Sequence, residues 1–304
     1  MAVVARGPWL PRAWLCRWGL DSPLSPKRQP GFPRNPPLAL CYRRAGPGCG
    51  RHYRAALCAE LKQPLAIEEV ASRPVRPHEM LWQIPERAPL REAAALPVSY
   101  GTAILALEHR ARTRPGETVL VTAAAGATGL AVIDVATNVL QAQVFVIAAT
   151  GSDKKCKLAL QKGAQSTVNY SQGSLKEAVR KLVGSAGVNV AIDTVGGDVF
   201  LEALRSLAWE GRIVVVGFAG GNIASVPANL LLLKNISAMG LYWGRYKEQS
   251  FPVFSRTLSS ALQYCQQGRI QPHIGAVFKL EEVNDAFLHV IQRKSTGKVL
   301  ISLK

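Results

Sequence analysis

The sequence predicts an α/β fold built on a doubly wound parallel sheet. Two observations lead to this prediction. Near-continuous apolar segments of strand length alternate with helical segments after residue 116, which is the pattern of a parallel sheet covered on both faces. A glycine-containing loop, Ala124–Gly129, follows the first of these apolar segments and precedes the first helix of the alternating region.

The predicted elements follow one another in a regular order. Two short strands around a turn at residues 62–64 precede a helical stretch at residues 90–110, in which Pro97 breaks or restarts the helix. The chain closes with elements that leave the alternation and could belong to a second, smaller domain. The predicted strands are 53–57, 66–70, 118–122, 144–149, 167–170, 188–193, 212–217, 236–241, 275–280 and 298–303, and the later helices are 129–140, 154–162, 175–183, 200–207, 230–234, 258–266 and 283–292.

The positive charge of the chain is concentrated at its beginning. The net charge is +17, and residues 1–54 hold ten basic side chains and one acidic side chain. Residues 1–50 combine arginine with tryptophan and have no acidic residue before Asp21, as expected of a mitochondrial presequence followed by a disordered linker. The alternatives are a solvated N-terminus on a cytosolic protein or an arm that binds RNA or a membrane surface. We expect the mitochondrial matrix, with the cytoplasm as the alternative.

Several classes of protein are disfavoured by the composition. No apolar run reaches the roughly 18–20 residues of a transmembrane helix, so we expect no membrane span. The six cysteines contain no Cys-x-x-Cys pair and the five histidines are scattered. Because tetrahedral zinc needs closely spaced thiolate or imidazole ligands, we expect no metal site, and we expect no disulfide framework either. No module for binding nucleic acid is recognisable.

The loop Ala124–Gly129 is a variant of the dinucleotide-binding fingerprint of Rossmann domains, with the spacing A-x-G-x-x-G. Gly126 lets the backbone approach a pyrophosphate, and Gly129 lets the helix pack closely on the sheet. The N-terminus of the helix adds free N–H groups and the positive end of its dipole. The alternative is a glycine turn that serves helix packing only, and Ala124 in place of the first glycine departs from the fingerprint.

The end of the second strand of this region favours NADP(H) over NAD(H). Domains that prefer NAD(H) usually place an acidic residue there, whereas this chain has Ala149–Ser152. Hydroxyl groups and a nearby lysine suit a 2′-phosphate, and the candidates are Ser152 and Lys155, with the phenol of Tyr170. The alternative is a helix cap at Ser152 and a solvated lysine.

Two later strand ends point to the same crevice, because ligands of open α/β sheets bind at the carboxyl ends of the strands. They are the segments 193–197 and 217–221, where Gly196 and Gly217 would let the backbone approach the nicotinamide, unless they are ordinary loop glycines. Asp193 fits a structural cap better than a catalytic base.

Seven short motifs are spread over the second part of the chain. They are 94–97 (AALP), 100–103 (YGTA), 126–129 (GATG), 168–170 (VNY), 193–197 (DTVGG), 211–218 (GRIVVVGF) and 297–300 (GKVL). Through them, residues 81–304 resemble the zinc-independent quinone oxidoreductases of the medium-chain dehydrogenase/reductase superfamily, the zeta-crystallin group. This resemblance implies NADPH as cofactor, reduction of a small-molecule quinone or activated enone, and a homodimer. It further implies that Thr102 lies beside the nicotinamide and that Lys298 approaches a cofactor phosphate.

The resemblance is interrupted in the first half of the chain. Residues 53–79 resemble the start of the GroES-like domain of that family and residues 80–86 its end, so the middle is absent. We therefore expect a head at 1–50, a remnant of a GroES-like substrate domain at 51–110 and 270–304, and a Rossmann domain at 111–269. The absent segment normally supplies one wall of the active site, so no catalytic residue is assigned.

The leading interpretation is an NADPH-dependent oxidoreductase, and the alternative is a nucleotide-binding module without turnover. Hydride leaves the nicotinamide directly, so such an enzyme needs orientation more than acid–base groups. The complete set of candidate cofactor-binding residues is Thr102, Gly126, Ala127, Thr128, Gly129, Ser152, Lys155, Tyr170, Val195, Gly217, Phe218 and Lys298.

Overall fold

The structure is a computed structural model that describes residues 52–57, 63–71, 82–86, 88–140 and 144–303. Backbone contacts divide the chain into two compact units, residues 1–79 and 80–304. The predicted head, residues 1–50, lies outside the described residues. The predicted domains follow the resemblance rather than these contacts, and their boundaries stay a prediction.

The first unit contains a β-hairpin of two antiparallel strands. They are β1 (His52–Leu57) and β2 (Ala66–Ala71), paired from His52 opposite Ala71 to Leu57 opposite Ala66. Ala56 and Val70 are buried. Both strands agree with the sequence prediction to within one residue, because turn residues flank the two short segments of strand length.

The second unit is built on a six-stranded sheet in which all neighbouring strands are parallel. The strand order is β5-β4-β3-β6-β7-β8, so the order reverses between β3 and β6 and opens a crevice at their carboxyl ends. The predicted doubly wound sheet is confirmed. Its strands are β3 (Thr118–Val121), β4 (Phe145–Thr150), β5 (Ser166–Asn169), β6 (Val188–Asp193), β7 (Leu207–Val215) and β8 (Ser237–Gly240).

Helices cover both faces of this sheet. Pro97 is the first residue of α2, where its missing N–H group has no helical partner to lose, so the predicted restart is confirmed. A π-helical segment, Leu105–Arg110, continues α2 directly. The helices are α1 (Leu90–Ala95), α2 (Pro97–Ile104), α3 (Ala127–Asn138), α4 (Asp153–Gln161), α5 (Leu175–Val183), α6 (Gly197–Arg205), α7 (Ala228–Lys234), α8 (Tyr246–Gln249), α9 (Phe251–Gln266) and α10 (Val283–Ile291).

Two apolar cores lie on the opposite faces of the sheet. The first core contains buried residues of α2, α3 and α9, and the second contains buried residues of α5 and α6. Val119 and Val121 belong to the first core, whereas Leu120 between them belongs to the second. Successive side chains of a strand point to opposite faces, so a strand that is apolar at every position is buried on both sides.

Two elements, β7 and α9, begin at least five residues earlier than the sequence predicted. The strand predicted at 212–217 is β7, which starts at Leu207. Within β7, Glu210 adopts a φ of +55° and the register with β6 shifts between Leu207 and Arg212, as in a β-bulge. The sequence of this bulge, Glu210–Arg212, resembles a turn, so the earlier part of the strand was not predicted. The helix predicted at 258–266 is α9, which starts at Phe251 and has a proline in its first turn.

The last elements leave the main sheet, as predicted. Strands β9 (Ile274–Lys279) and β10 (Lys298–Ser302) form a two-stranded parallel sheet, with α10 between them in the chain. An isolated bridge pairs Gly126 with Gly297, which brings the start of β10 to the loop after β3. Within the described ranges, no helix is long and apolar enough to cross a membrane.

Candidate cofactor site

The loop between β3 and α3 has the geometry that the glycine spacing predicted. Gly126 is the N-cap of α3, and its carbonyl accepts the first helical hydrogen bond, from Leu130 N–H at 2.9 Å. A Cβ atom on Gly129 would lie 2.5 Å from the carbonyl oxygen of Ala123 and 2.6 Å from Cα of Ala124. Gly129 therefore allows α3 to pack against the end of β3, and the first turn of α3 presents its N–H groups to the crevice.

A buried carboxylate joins the ends of β3 and β6 at the floor of this crevice. Thr122 Oγ1 donates to Asp193 Oδ1 at 2.6 Å and accepts from Thr194 N–H at 3.0 Å, while Gly196 N–H donates to Asp193 Oδ2 at 2.9 Å. Burial raises the pKa of Asp193, against the lowering effect of these donors. Asp193 is fully buried and acts as the predicted structural cap. Thr122 was not among the sequence candidates.

The residues predicted for a 2′-phosphate gather at the end of β4. The hydroxyl of Ser152 caps α4 by accepting from Lys155 N–H at 3.4 Å, and the ring of Tyr170 lies 3.6 Å from a Cβ position on Gly151. Lys155 Nζ donates to the carbonyl oxygen of Arg293 at 3.0 Å. Burial raises the pKa of Tyr170, and the guanidinium of Arg293 opposes that rise. A second cation therefore lies here.

Arg293 was missed by sequence reasoning. It is 138 residues from Lys155 in the chain, immediately after the C-terminal end of α10, and no local pattern marks it. Arg293 has a φ of +58°, a left-handed conformation that is uncommon outside glycine. Only the return of the chain from α10 to the loop after β3 brings this residue to the end of β4.

Lys298 follows a residue that is bonded to the cofactor loop, and its predicted approach to a cofactor phosphate stays a prediction. Gly297 N–H donates to the carbonyl oxygen of Ala125 at 2.8 Å, and Lys298 N–H donates to the carbonyl oxygen of His273 at 2.8 Å. Burial lowers the pKa of the Lys298 ammonium. A partly buried ammonium next to a turn that exposes N–H groups favours an anion in its neighbourhood.

The remaining candidates lie on two loops and one helix. The loop after β6 and the loop after β7 are in contact, because a Cβ atom on Gly196 would lie 2.8 Å from the ring of Phe218. Val195 is tied to the second loop by its carbonyl oxygen, which accepts from Gly220 N–H at 2.9 Å. A Cβ atom on Gly217 would meet no atom closer than 3.7 Å. Thr102 is buried in α2.

The sheet topology, the switch point and the loop define the class of protein, which is a protein with a dinucleotide-binding Rossmann domain. Residues 127–260 match the family model described as zinc-binding dehydrogenase. The bovine quinone oxidoreductase-like protein 2 (Bos taurus) is 60% identical over 376 aligned positions, which span 99% of this chain and 100% of that protein. The mouse protein of the same name (Mus musculus) is 61% identical over 88% of this chain and 97% of its own length. The chain therefore belongs to the quinone oxidoreductase-like protein 2 family of the medium-chain dehydrogenase/reductase superfamily.

Solved structures agree with this fold. The quinone oxidoreductase of Thermus thermophilus, also solved in complex with NADPH, is 33% identical and has a TM-score of 0.66, and the match covers 82% of this chain and 76% of that one. A mycobacterial protein solved in complex with NADPH is 26% identical with a TM-score of 0.66, covering 72% of this chain and 67% of its own. The predicted Rossmann fold is confirmed.

The alignment with the bovine relative contains positions that have no residue in this chain. Its 376 positions exceed the 304 residues of the chain by 72, so at least 72 positions of the alignment are unmatched here. The homologue from Nematostella vectensis aligns over 238 positions with 77% of this chain, which leaves little room for a gap in that stretch. These lengths agree with an absent segment, and its place in the first domain stays a prediction.

Zinc does not fit the residues of this site, although the matching family model carries zinc in its description. In the part of the chain that the structure describes, no group of three or more His, Cys, Asp or Glu side chains could hold a metal ion. Cys156 and Cys265 are buried free thiols, and burial raises the pKa of Cys265 to about 11. The described part of the chain therefore offers no set of ligands for zinc.

Proposed function

We propose that this chain is an NADPH-dependent oxidoreductase that reduces quinones or related activated enones. The observation that carries the proposal is the convergence of the glycine loop, Lys298 and the cluster of Ser152, Lys155, Tyr170 and Arg293 along one edge of the sheet. This arrangement offers N–H groups for a pyrophosphate and cations for a further phosphate. The solved relatives in complex with NADPH support the same cofactor.

The residues of this chain bind and orient rather than exchange protons. Bound NADPH supplies the hydride. The first turn of α3 and Lys298 hold the pyrophosphate, because N–H groups at a helix N-terminus and an ammonium both favour negative charge. Lys155 and Arg293 hold the 2′-phosphate, and the loops after β6 and β7 keep water from the carboxyl ends of the strands. The resemblance assigns Thr102 of α2 to the nicotinamide side.

A binding experiment on the full chain tests the cofactor. We expect calorimetry to show NADPH binding with a lower Kd than NADH, and we expect absorbance at the nicotinamide band to fall when a simple quinone is added. Binding of both cofactors with equal Kd would contradict the role of Lys155 and Arg293. If the folded protein binds neither NADPH nor NADH, the proposed cofactor is wrong.

A nucleotide-binding module without turnover is the second candidate. It is favoured by the 72 or more aligned positions that this chain lacks, because the resemblance places one active-site wall in that segment. NADPH binding without oxidation of the cofactor by any quinone or enone tested would support this candidate.

We also propose a homodimer through the edge of the sheet. Strand β8 is the last strand of the sheet, so one of its edges has no partner strand within it, and edges of this kind pair readily with another chain. Leu232 and Leu233 of the adjacent α7 are 77% and 69% exposed. Sedimentation should give twice the chain mass, and Leu232→Glu with Leu233→Glu should return the monomer mass.

The basic head is proposed as a mitochondrial presequence from its composition alone. Residues 1–50 fused to a fluorescent protein should direct it to mitochondria. Diffuse cytoplasmic fluorescence would contradict the proposal.

A further inference from the structure

A buried carboxylate on α3 ties together three parts of the molecule. Asp134 Oδ2 accepts from Tyr100 Oη of α2 at 2.6 Å and from the backbone N–H of Gln271 at 2.8 Å. Asn138 Nδ2, one turn along α3, donates to Asp134 Oδ1 at 2.8 Å. Asp134 and Tyr100 are only 9% and 3% exposed. A buried carboxylate with three donors fixes each donor in place, since loss of a partner leaves a buried polar group unsatisfied.

One of these bonds closes a ring that includes the cofactor loop. From Gln271 the chain runs two residues to His273, whose carbonyl oxygen accepts from Lys298 N–H at 2.8 Å. The preceding residue, Gly297, donates to Ala125 in the cofactor loop at 2.8 Å. The loop leads directly into α3 and back to Asp134. The position of Lys298 relative to the loop is therefore set from two sides.

The other bond joins α3 to α2, the helix that carries Thr102. Tyr100 and Thr102 are two residues apart on α2, and the Tyr100 hydroxyl is the group that reaches across to α3. Burial and the neighbouring Asp134 carboxylate raise the pKa of Tyr100, so the phenol keeps its proton and remains a donor.

We propose that Asp134 is a positioning residue for the cofactor, which sets Lys298 at the phosphate end through Gln271 and Thr102 at the nicotinamide end through Tyr100. The inference rests on the proposed function and deepens it, because it makes one carboxylate outside the cofactor loop responsible for both ends of the bound NADPH. Asp134 is buried, and in this proposal it acts through Tyr100 and Gln271 rather than on the cofactor.

The two connections can be broken separately. Tyr100→Phe removes the donor on α2 and leaves the ring through Gln271 intact. Gln271→Pro removes the backbone N–H group and leaves Tyr100 in place. Asp134→Asn weakens both connections. Asn138→Ala is the matched control, because it removes a donor to the same carboxylate from within α3 and disconnects no other segment.

The readouts are the Kd for NADPH and the fluorescence of the bound nicotinamide, neither of which requires turnover. We expect Gln271→Pro to raise the Kd about tenfold with unchanged nicotinamide fluorescence, and Tyr100→Phe to change the fluorescence with a Kd within about twofold of the unaltered chain, since small misplacements of a group have large effects. Asp134→Asn should raise the Kd and change the fluorescence, whereas Asn138→Ala should leave the Kd and the fluorescence unchanged. All measurements are made well below each variant's Tm.

The outcomes separate the inference from the proposed function. No NADPH binding by the unaltered chain overturns the proposed function and this inference together. Binding by the unaltered chain, with Asp134→Asn and Tyr100→Phe matching it in both Kd and fluorescence, overturns the inference alone. Should Gln271→Pro not fold, a raised Kd in Asp134→Asn that is absent from Tyr100→Phe supports the connection through Gln271, and equal Kd values in these two variants contradict it.

Discussion

Gly126 and Gly129 belong to the same loop, and their surroundings differ. A Cβ atom on Gly129 would overlap backbone atoms of Ala123 and Ala124, whereas one on Gly126 would lie 3.2 Å from the nearest atom, the carbonyl oxygen of Ala123. Backbone atoms cannot rotate away, so the helix itself would have to shift for alanine at 129. Gly129 is therefore needed for packing, whereas the proposed function assigns Gly126 to the ligand.

This difference leads to a prediction about alanine at each position. Gly129→Ala should lower the free energy of unfolding by about 1–3 kcal/mol through overpacking and should also weaken NADPH binding. Gly126→Ala should raise the Kd for NADPH with a smaller effect on stability. Urea unfolding and calorimetry measure the two quantities. The control is Gly173→Ala, since a Cβ atom there meets no atom within 4 Å. Equal free energies of unfolding for Gly129→Ala and Gly126→Ala would contradict the packing role of Gly129.

Selectivity for NADPH is a second property of single residues. Lys155→Ala and Arg293→Ala should each raise the Kd for NADPH about tenfold or more, because a hydrogen bond to a charged group contributes about 1.5–3 kcal/mol. The Kd for NADH should stay nearly constant, since NADH has no 2′-phosphate. Lys157→Ala, an exposed lysine of the same helix, is the control. A parallel loss of affinity for both cofactors would show that these residues do not contact the 2′-phosphate.

Single residues also mark the limit of prediction from sequence at this site. The glycine loop, Ser152 and Lys155 were found because each lies in a local pattern of strand, loop and helix. Thr122 and Arg293 were not, since their partners Asp193 and Lys155 are 71 and 138 residues away. Local spacing cannot report a contact that depends on how the last helix returns to the sheet.

At the level of elements, the alternating region was predicted best. Strand β6 and helix α5 have the predicted bounds, because each is a continuous apolar or amphipathic segment between clear turn residues. The early part of β7 was missed because its bulge at Glu210 interrupts the pattern. The short helix α8 and the first half of α9 were missed because residues 246–257 mix aromatic, polar and proline residues without one period.

An ion pair joins β7 to the segment before β3 and makes the stability of the sheet depend on pH. Arg212 Nη1 and Nη2 donate to the two carboxylate oxygens of Glu117 at 2.6 Å each, and Arg212 Nε donates to the carbonyl oxygen of Ala111 at 2.6 Å. Burial alone would raise the pKa of Glu117, but the hydrogen bonds from Arg212 and from the Arg114 amide lower it overall.

The expected effect has a definite sign. Because the pKa of Glu117 is lower in the folded state, the pair stabilises the protein above the unfolded value of about 4.3 and this contribution is lost as pH falls through the folded pKa. Arg212→Met should destabilise the protein by about 2–3 kcal/mol at pH 7, since a nearly buried carboxylate would lose its partner. Urea unfolding between pH 7 and 3.5 should show that the difference in free energy of unfolding between the unaltered chain and Arg212→Met becomes smaller as the pH falls. A difference that does not change with pH would contradict the role of the Glu117–Arg212 ion pair.

On the surface of the molecule, helix α10 has an exposed apolar face. Phe287, Leu288 and Ile291 of α10 are 57%, 50% and 71% exposed, and their spacing places them on neighbouring positions of the helix surface. Monomeric proteins rarely expose large apolar patches without a partner.

We expect this face to promote association of the purified protein. Phe287→Lys together with Ile291→Lys should reduce the large species seen by light scattering and leave Tm nearly unchanged, since exposed substitutions usually alter stability by less than about 0.5 kcal/mol. Val98→Lys is the control, because Val98 is comparably exposed at 57% and lies on α2. An unchanged content of large species would contradict the role of α10.

The bridge between Gly126 and Gly297 has a consequence for the biosynthesis of the protein. A chain is made from its N-terminus onward, and domains begin to fold during synthesis. The cofactor loop ends at Gly129, but Arg293, Gly297 and Lys298 follow it by more than 160 residues. The proposed nucleotide site is therefore completed only after these later residues have been made, and a chain cut before Arg293 would carry the sheet without a finished site.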